Sequence, residues 1–461
     1  MINLQASQIA EIVGGKLIGS DVTVSSAPVF NSKEATPGSI FLALVGNNSD
    51  GHNFIADAFA NGSVLAFTTR EVPERCIVVS DVVQALNLLA SYVRKSLSGL
   101  QVVALTGSQG KTTTKDLLNH ILSTVAPTVA PTGNFNNELG APITLLQCDA
   151  QTKFCILEMG ARHVGDIAKL CQMATPDIGV VLKVGTAHIG EFGSAEAVAK
   201  TKSEMISSLS AGAVAVLGQY DEFTKAMKKL HDGKTITFGE TSSADVRATD
   251  IEIREGRPHF DLVTPAGRAA VGLRLAGIHQ VANALAAAAI ATNLNISIDV
   301  IAGALSTADL NSKWRMEILE LSGLVLINDA YNASPESTEA ALRTLVLFAQ
   351  ERGGQSWAFL GKMHELGESS PQRHAKLGTL ASELGIDHLV CINADEYASD
   401  IRDTSQIAVH LFKSFDQAQG LVDQMSQGDV LLVKASRAEK FEVLADLIAK
   451  KWSDRSTGGE S

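Results

Sequence analysis

The chain has 461 residues, 45 % hydrophobic and 19 % charged, with 38 Lys plus Arg against 50 Asp plus Glu for a net charge of −12. At roughly 150 residues per domain, that is length for about three domains. The composition is that of a globular chain, and a net acidic protein lacks the basic face that sequence-independent nucleic-acid binding needs. Binding of a phosphorylated small molecule stays open, because local donors decide it.

No run of about 18 apolar residues exists, so no membrane span is expected. The longest candidate, Ala284 to Ala291, is short and mostly alanine. The N-terminus has neither the basic stretch nor the apolar core of a secretion signal, which points to the cytoplasm. Cys76, Cys148, Cys155, Cys171 and Cys391 are odd in number and show no C-x-x-C spacing. Free thiols in a reducing compartment are the expectation.

In chain order, Leu4, Ile9, Ile12 and Val13 form a helical stripe stopped by Gly14 and Gly15. Segments 39–45 and 64–67 read as strands and 82–97 as a helix, with Ser98 and Gly99 marking a boundary. From Gln101 strand and helix alternate. Segments 102–105, 154–157 and 178–182 are apolar runs without alternation, suited to a parallel sheet buried on both faces. Between Ala244 and Leu275 the period changes to that of short antiparallel strands, read as a β-meander appended to the central unit, and an alanine-rich helix over 278–292 closes it. A third α/β section starts near Lys313, with strands at 324–327, 357–360, 388–392 and 430–433 and a last helix ending near Lys451. Ser453 to Ser461 reads as a polar, mobile tail. The expected fold is α/β in three domains: a small unit over 1–98, a central parallel-sheet unit over 99–311, and a Rossmann-like unit over 312–461.

The strongest signal is the segment from Val102 to Thr113, where a buried strand runs into Thr106, Gly107, Ser108, Gln109, Gly110, Lys111 and Thr112, and a helix follows to Leu122. Glycines let backbone N–H groups turn toward phosphate oxygens, and the helix N-terminus adds its dipole. Lys111 supplies a charge for β- and γ-phosphates, and Thr112 can ligate Mg²⁺. The longer G-x-x-x-x-G-K-T form is incomplete, since Leu105 stands at its first glycine, but T-G-x-x-G-K-T fits fully. The strand–loop–helix context points to a nucleoside triphosphate, with Mg²⁺ ligands expected at the ends of neighbouring strands.

Glu158 ends the strand 154–157. A buried strand that delivers a carboxylate at its tip needs a partner for the charge, so Glu158 reads as a metal ligand or a helix-capping group. His188 follows the next strand among glycine-containing turns, as a metal-side group or a packed histidine. Lys202 lies on a helix over 195–209, and nothing in its spacing separates it from a solvated lysine.

Together these residues resemble the Mur ligases, the ATP-dependent amide-bond enzymes of peptidoglycan synthesis. The resemblance spans essentially the whole chain. The phosphate loop, the run from Thr132 to Leu146, Glu158 to Ala161, Ala187-His188, Asn283, Arg315 and Asp329 to Asn332 occur in the family's order. The runs G-N-F-N-N, E-M-G-A and D-A-Y-N-A-S-P are similar to those of the branch that joins D-alanyl-D-alanine to UDP-N-acetylmuramoyl-tripeptide.

The resemblance implies roles. The loop residues Gly107 to Thr113 would hold ATP phosphates, with Lys111, Glu158, His188 and Lys202 as catalytic groups and Thr112, Glu158 and His188 around magnesium. Lys202 falls nine residues after Gly193, the offset at which related ligases carry a carbamylated lysine. Asn137 would approach the acyl substrate. Asn283, Arg315 and Asp329 would complete the nucleotide site, or serve as ordinary interdomain polar contacts. Segments 37–46 and 50–54 have the outline of the UDP-sugar unit, with Ser32, Asp50 and His52 as substrate contacts. Two departures stand out: Asn31-Ser32-Lys33 where D-S-R is usual, and Lys183 where asparagine is usual. The implied reaction proceeds through an acyl phosphate on the tripeptide carboxylate, in a monomer with small-molecule partners and no nucleic acid. Lys434 to Arg437 reads as a contact to the dipeptide or phosphate, or as a basic helix start on the surface. Segment 362–368 is a place to look for the dipeptide pocket. The rival readings are another Mur-type or folylpolyglutamate-type ligase, or a relative that binds ATP without catalysis.

Overall fold

Strands that are apolar on both faces must be covered on both faces, and that requirement sets the centre of the chain. The computed structural model describes residues 1–457 apart from 48, 134, 186–191, 310–312 and 403–404. The strand Gln101–Thr106 lies between Phe154–Glu158 and Ile178–Val181, all three parallel. Val102 to Leu105 are fully buried. Parallel pairing continues through Val214–Gly218 and Thr235–Gly239, while Thr128–Val129 closes the other edge.

The sheet does not stop there. Phe238 and Gly239 pair in parallel with Val246 and Arg247 of the strand Val246–Arg254. Arg257–Thr264 and Gly267–Gly272 then add antiparallel strands, for nine in all. The expected meander is thus the far part of the central sheet, joined to it by a parallel pair. Pairing shifts register between Thr249 and Glu252. In Val246–Arg254 only alternate residues are covered, so this part needs one protected face rather than two.

The helix Lys111–Ser123 buries Leu117, Leu118, Ile121 and Leu122 against this sheet. Alongside it lies Gln280–Asn293, whose buried alanines allow a close approach. That packing sets Asn283 beside the phosphate loop.

In the first section, Lys16–Ile18, Cys76–Val78, Leu65–Thr68 and Ile40–Leu42 form a four-stranded sheet. The helix Val82–Ser96, capped by Asp81, puts Leu86, Leu89 and Val93 into a cluster with Ala141, Leu145 and Leu170. One apolar core therefore runs from the first sheet into the flank of the second. The last section is a six-stranded sheet, parallel except for the hairpin Glu317–Leu321 with Leu324–Asn328. The chain leaves Leu324–Asn328, Ser356–Leu360 and Val430–Lys434 at neighbouring carboxyl ends, where α/β sheets gather ligands.

The final helix is longer than expected, Phe441–Thr457. Trp452 is buried in the last core, and Arg455 donates to the carbonyls of Val422 and Met425. These contacts hold the turn that polarity alone reads as tail. All five cysteines are buried and free. Among the described residues no helix is long and apolar enough to cross a membrane.

The central and last sections also meet at a hairpin tip. Gly256 has φ +67°, its carbonyl accepts the Gly277 N–H, and a Cβ there would lie 1.8 Å from the Phe348 ring. Gly256→Ala should lower stability by about 2–4 kcal/mol, through overpacking and a left-handed backbone. Gly99→Ala, where a Cβ meets nothing within 4 Å, should change it by less than about 0.5 kcal/mol. Thermal unfolding of the two variants checks this, and equal midpoints would contradict the hairpin–helix contact.

Candidate active site

A helix N-terminus presents N–H groups with no intrahelical acceptor. At Lys111–Ser123 no side chain caps them, because the N-cap is Gly110. Gly110 has φ +82°, and a Cβ there would sit 2.2 Å from Asn283 Oδ1. Only glycine fits that approach. The loop is braced from the next strand: Ser108 N–H donates to the Lys183 carbonyl at 2.9 Å, and Gly185 N–H to Ser108 Oγ at 2.8 Å. Lys111 Nζ donates to the Gly107 carbonyl at 2.8 Å, closing over the loop.

Glu158 reaches this loop from the end of the adjacent strand and is 2 % exposed. Its Oε2 accepts from Thr112 Oγ1 at 2.9 Å and its Oε1 from Asn136 Nδ2 at 3.0 Å. Among the described residues both donors are neutral side chains, and neither is a helix-end N–H, so the capping reading does not describe it. Asn136 was not singled out from the sequence, although it stands in the G-N-F-N-N run. Its neighbour Asn137 lies just before the helix Gly140–Leu146, where its Oδ1 accepts from Gly140 N–H at 3.0 Å.

Lys202, on Ala195–Ser207, is 7 % exposed rather than solvated. Burial, and then the charge of Lys111, bring its pKa down to about 7. Lys111 is lowered too: burial dominates, Glu158 opposes it, and Arg315 adds to it. Lys111, Asn137 and Lys202 line one cavity of about 1200 Å³, shared with Asp81 and Gln84 at the start of the first section's long helix, with Arg162, and with Glu365 from the last section. His188 lies outside the described residues.

The nucleotide-side residues are tied differently. Asn283 Nδ2 donates to Gln280 Oε1 at 2.8 Å while its oxygen faces Gly110. The Arg315 guanidinium lies 3.8 Å from the centre of the Tyr331 ring. Asp329 is fully engaged: Oδ1 accepts the Met316 N–H at 3.1 Å, and Oδ2 pairs with Lys434 Nζ at 2.5 Å. Trp314 and Met316, either side of Arg315, have φ +62° and +53°. Asp329 therefore pins a strained turn that presents Arg315. Lys434 is 1 % exposed, and Arg437 stacks on Trp314 and pairs with Glu442. Lys434 is therefore no surface group, whereas Arg437 is exposed and opens the short 3-10 helix Arg437–Glu439, as the surface helix-start reading has it. Sequence reasoning also missed a direct tie between sections: Gln109 Nε2 donates to Ser334 Oγ at 3.1 Å and Glu336 Oε2 at 3.3 Å.

In the first section Asp50 Oδ1 accepts from His52 Nδ1 at 2.6 Å and Oδ2 from Arg70 at 2.8 Å. Arg70, then His52, hold the Asp50 carboxyl well below the usual carboxylate range. His52 Nε2 accepts the Thr69 N–H at 3.2 Å, the pattern of a neutral imidazole. Asn31 caps the turn Ser32–Glu34, a task for which asparagine and aspartate are equivalent. Phe30 meets Phe135 at 6.1 Å between ring centres, a contact between the first section and the G-N-F-N-N run. The Lys183 side chain adds, after Asp329 and Lys434, to the charges around His279, whose pKa burial pushes down to about 4.

Residues 105–291 match the Mur ligase middle domain and residues 314–437 the Mur ligase glutamate ligase domain. The chain belongs to the Mur ligase family. Across 97 % of its length it is 37 % identical to the UDP-N-acetylmuramoyl-tripeptide–D-alanyl-D-alanine ligase of Mycobacterium tuberculosis, strain H37Rv, 98 % of which is covered. Its fold superposes on a crystal structure of MurF from Acinetobacter baumannii with a TM-score of 0.88 and 33 % identity, covering 97 % of this chain and 99 % of that one. For the MurF ligase of Thermotoga maritima in complex with ADP the values are 0.82 and 30 %, over 93 % and 98 %. A Mur ligase with Lys202 in this setting makes a titration prediction. Above about pH 7 the buried amine is a free base, the form that reacts with CO₂. Under labelled bicarbonate, a carbon-13 carbamate signal should grow between about pH 6 and about pH 8, following the lowered lysine pKa, and be missing in Lys202→Arg. A wild-type protein with no such signal at the upper pH would show that the amine is not reactive.

Proposed function

We propose that this Mur ligase uses ATP to join D-alanyl-D-alanine to the terminal carboxylate of UDP-N-acetylmuramoyl-tripeptide, a step of peptidoglycan precursor synthesis in the cytoplasm. The observation that carries the reading is that Lys111 belongs at once to the phosphate loop and to the large cavity. Nucleotide phosphates and an acyl substrate would meet at one cation. The near full-length identity to the mycobacterial ligase supports the choice of substrates.

Section 1–98 would hold the UDP-sugar, with Ser32, Asp50 and His52 among its contacts. Section 99–311 would hold ATP: the N–H groups from Gly107 to Thr113 take the phosphates, and Asn283 sets the loop's approach. Section 312–461 would bring Arg315, held by the turn that Asp329 pins. Thr112 and Glu158 offer hard oxygens 2.9 Å apart at the loop, and among the described residues the donors to the buried carboxylate are the neutral side chains of Thr112 and Asn136. That pair of oxygens fits Mg²⁺, which Thr112 and Glu158 would hold, with His188 as the further ligand that the family resemblance implies. When bound, the ion supplies positive charge for the phosphate oxygens.

In the reaction the tripeptide carboxylate attacks the γ-phosphorus of ATP, giving an acyl phosphate and ADP. Two anions approach each other in that step. Lys111 lowers the repulsion from the phosphate side, at a site whose low dielectric strengthens the effect. Asn137 orients the acyl group, and the cleft between sections keeps water from the acyl phosphate. The dipeptide amine then attacks the acyl carbon and phosphate leaves.

The test is phosphate release from Mg²⁺-ATP with the two acceptor substrates supplied singly and together. Release that needs both, with the UDP-N-acetylmuramoyl-pentapeptide in the mass spectrum, is expected. Silence with both, from a folded protein that binds ATP, would remove the proposal.

A further inference from the structure

The incoming dipeptide is a cation at its reacting end, because an α-amino group of pKa about 8 is mostly ammonium at neutral pH. It must lose a proton before its nitrogen can attack. The cavity end that carries Lys111 adjoins the phosphate loop and suits the acyl substrate. Among the described residues that line the cavity, Glu365 is the one from the last section, and it is a carboxylate.

The loop that carries Glu365 is built to hold it. Gly361 N–H donates to the Lys434 carbonyl and Ser436 N–H to that of Lys362, each at 3.0 Å. Met363 N–H donates to His374 Nε2, and His364 N–H to Ser436 Oγ, each at 2.9 Å. Met363 and Leu366 are buried on either side, while Glu365 is exposed to the cavity. Its φ is +65°, a conformation that costs a non-glycine residue free energy and persists only where the surroundings impose it. A braced loop thus holds a strained acidic residue at the wall of the cavity.

Resting on the ligase reading above, we infer that Glu365 is the catalytic residue that receives the ammonium group of the incoming dipeptide and takes its proton. The nitrogen lone pair so freed forms the C–N bond at the acyl carbon. The C–O bond to phosphate breaks with its electron pair on the departing oxygen, and the second N–H proton leaves with phosphate as hydrogen phosphate. The proton on Glu365 passes to solvent. One ammonium and one acyl phosphate dianion thus give amide, hydrogen phosphate dianion and one proton.

The experiment compares two acceptors on one acyl phosphate. Hydroxylamine is uncharged at neutral pH and captures acyl phosphates as hydroxamates, so it needs no carboxylate to neutralise it. In Glu365→Gln, ligation of D-alanyl-D-alanine should fall about 100-fold more than hydroxamate formation does, the scale of a lost general base. Its KM for the dipeptide should rise, while that for ATP moves less. Glu365→Gly should melt no lower than wild type, since glycine accepts the left-handed φ, yet show the same selective loss. Equal losses with both acceptors, or ligation within about twofold of wild type, would overturn the assignment, since a general base contributes more than that. Failure of the ligase reading itself shows first in wild type, as absent pentapeptide, and the assignment falls with it.

Discussion

Two cations in a poorly hydrated cleft repel each other, and Lys111 and Lys202 lie within each other's field. Burial is the larger cost of the Lys202 cation, and the charge of Lys111 adds to it, bringing its pKa near 7. Burial lowers Lys111 as well, but there Glu158 is a compensating neighbour. The rest of the site follows from that arrangement. Glu158 must end its strand at the phosphate loop, Thr112 must turn its hydroxyl to it, and Asn136 must close the other oxygen. On the proposed function, this pocket would take two anionic substrates side by side.

The sections of the chain cooperate through a small number of contacts. A continuous apolar cluster joins the first sheet to the central flank. On the opposite side Gln109 reaches from the phosphate loop to the N-cap of the helix Pro335–Arg352. The Asp329–Lys434 pair ties the strand end of the last sheet to the turn that carries Arg315. Such a buried pair contributes little net stability, but loss of one partner leaves an uncompensated charge. Its value here is positional. It fixes the backbone of a turn whose two left-handed residues would otherwise relax.

What could be read beforehand was what is local. The apolar run into Gly107–Lys111 declares strand, loop and helix within a dozen residues, and a charge ending a buried strand marks Glu158. Lys202 could not be read that way, because helical spacing does not reveal which face a neighbouring section covers. The family resemblance singled it out, and burial gives the physical reason. Asp329 was legible as a site residue but not as the pin of the Arg315 turn, since its partners Met316 and Lys434 are 13 and 105 residues away. The parallel join between Phe238 and Val246 was hidden for the opposite reason. The strands beyond it alternate like a free-standing meander, and one pair of backbone bridges decides that they extend the central sheet. The extra turn of the last helix depends on Trp452 and Arg455 meeting a distant segment.

In the proposed reaction the acyl carboxylate itself attacks the nucleotide at Lys111. Tripeptide substrate labelled with heavy oxygen in its terminal carboxylate tests this directly. Each phosphate released during ligation should carry one labelled oxygen, because the carboxylate oxygen that attacked phosphorus leaves with it. Unlabelled phosphate, with amide still formed, would mean that water or another group takes the γ-phosphoryl, and would contradict the account.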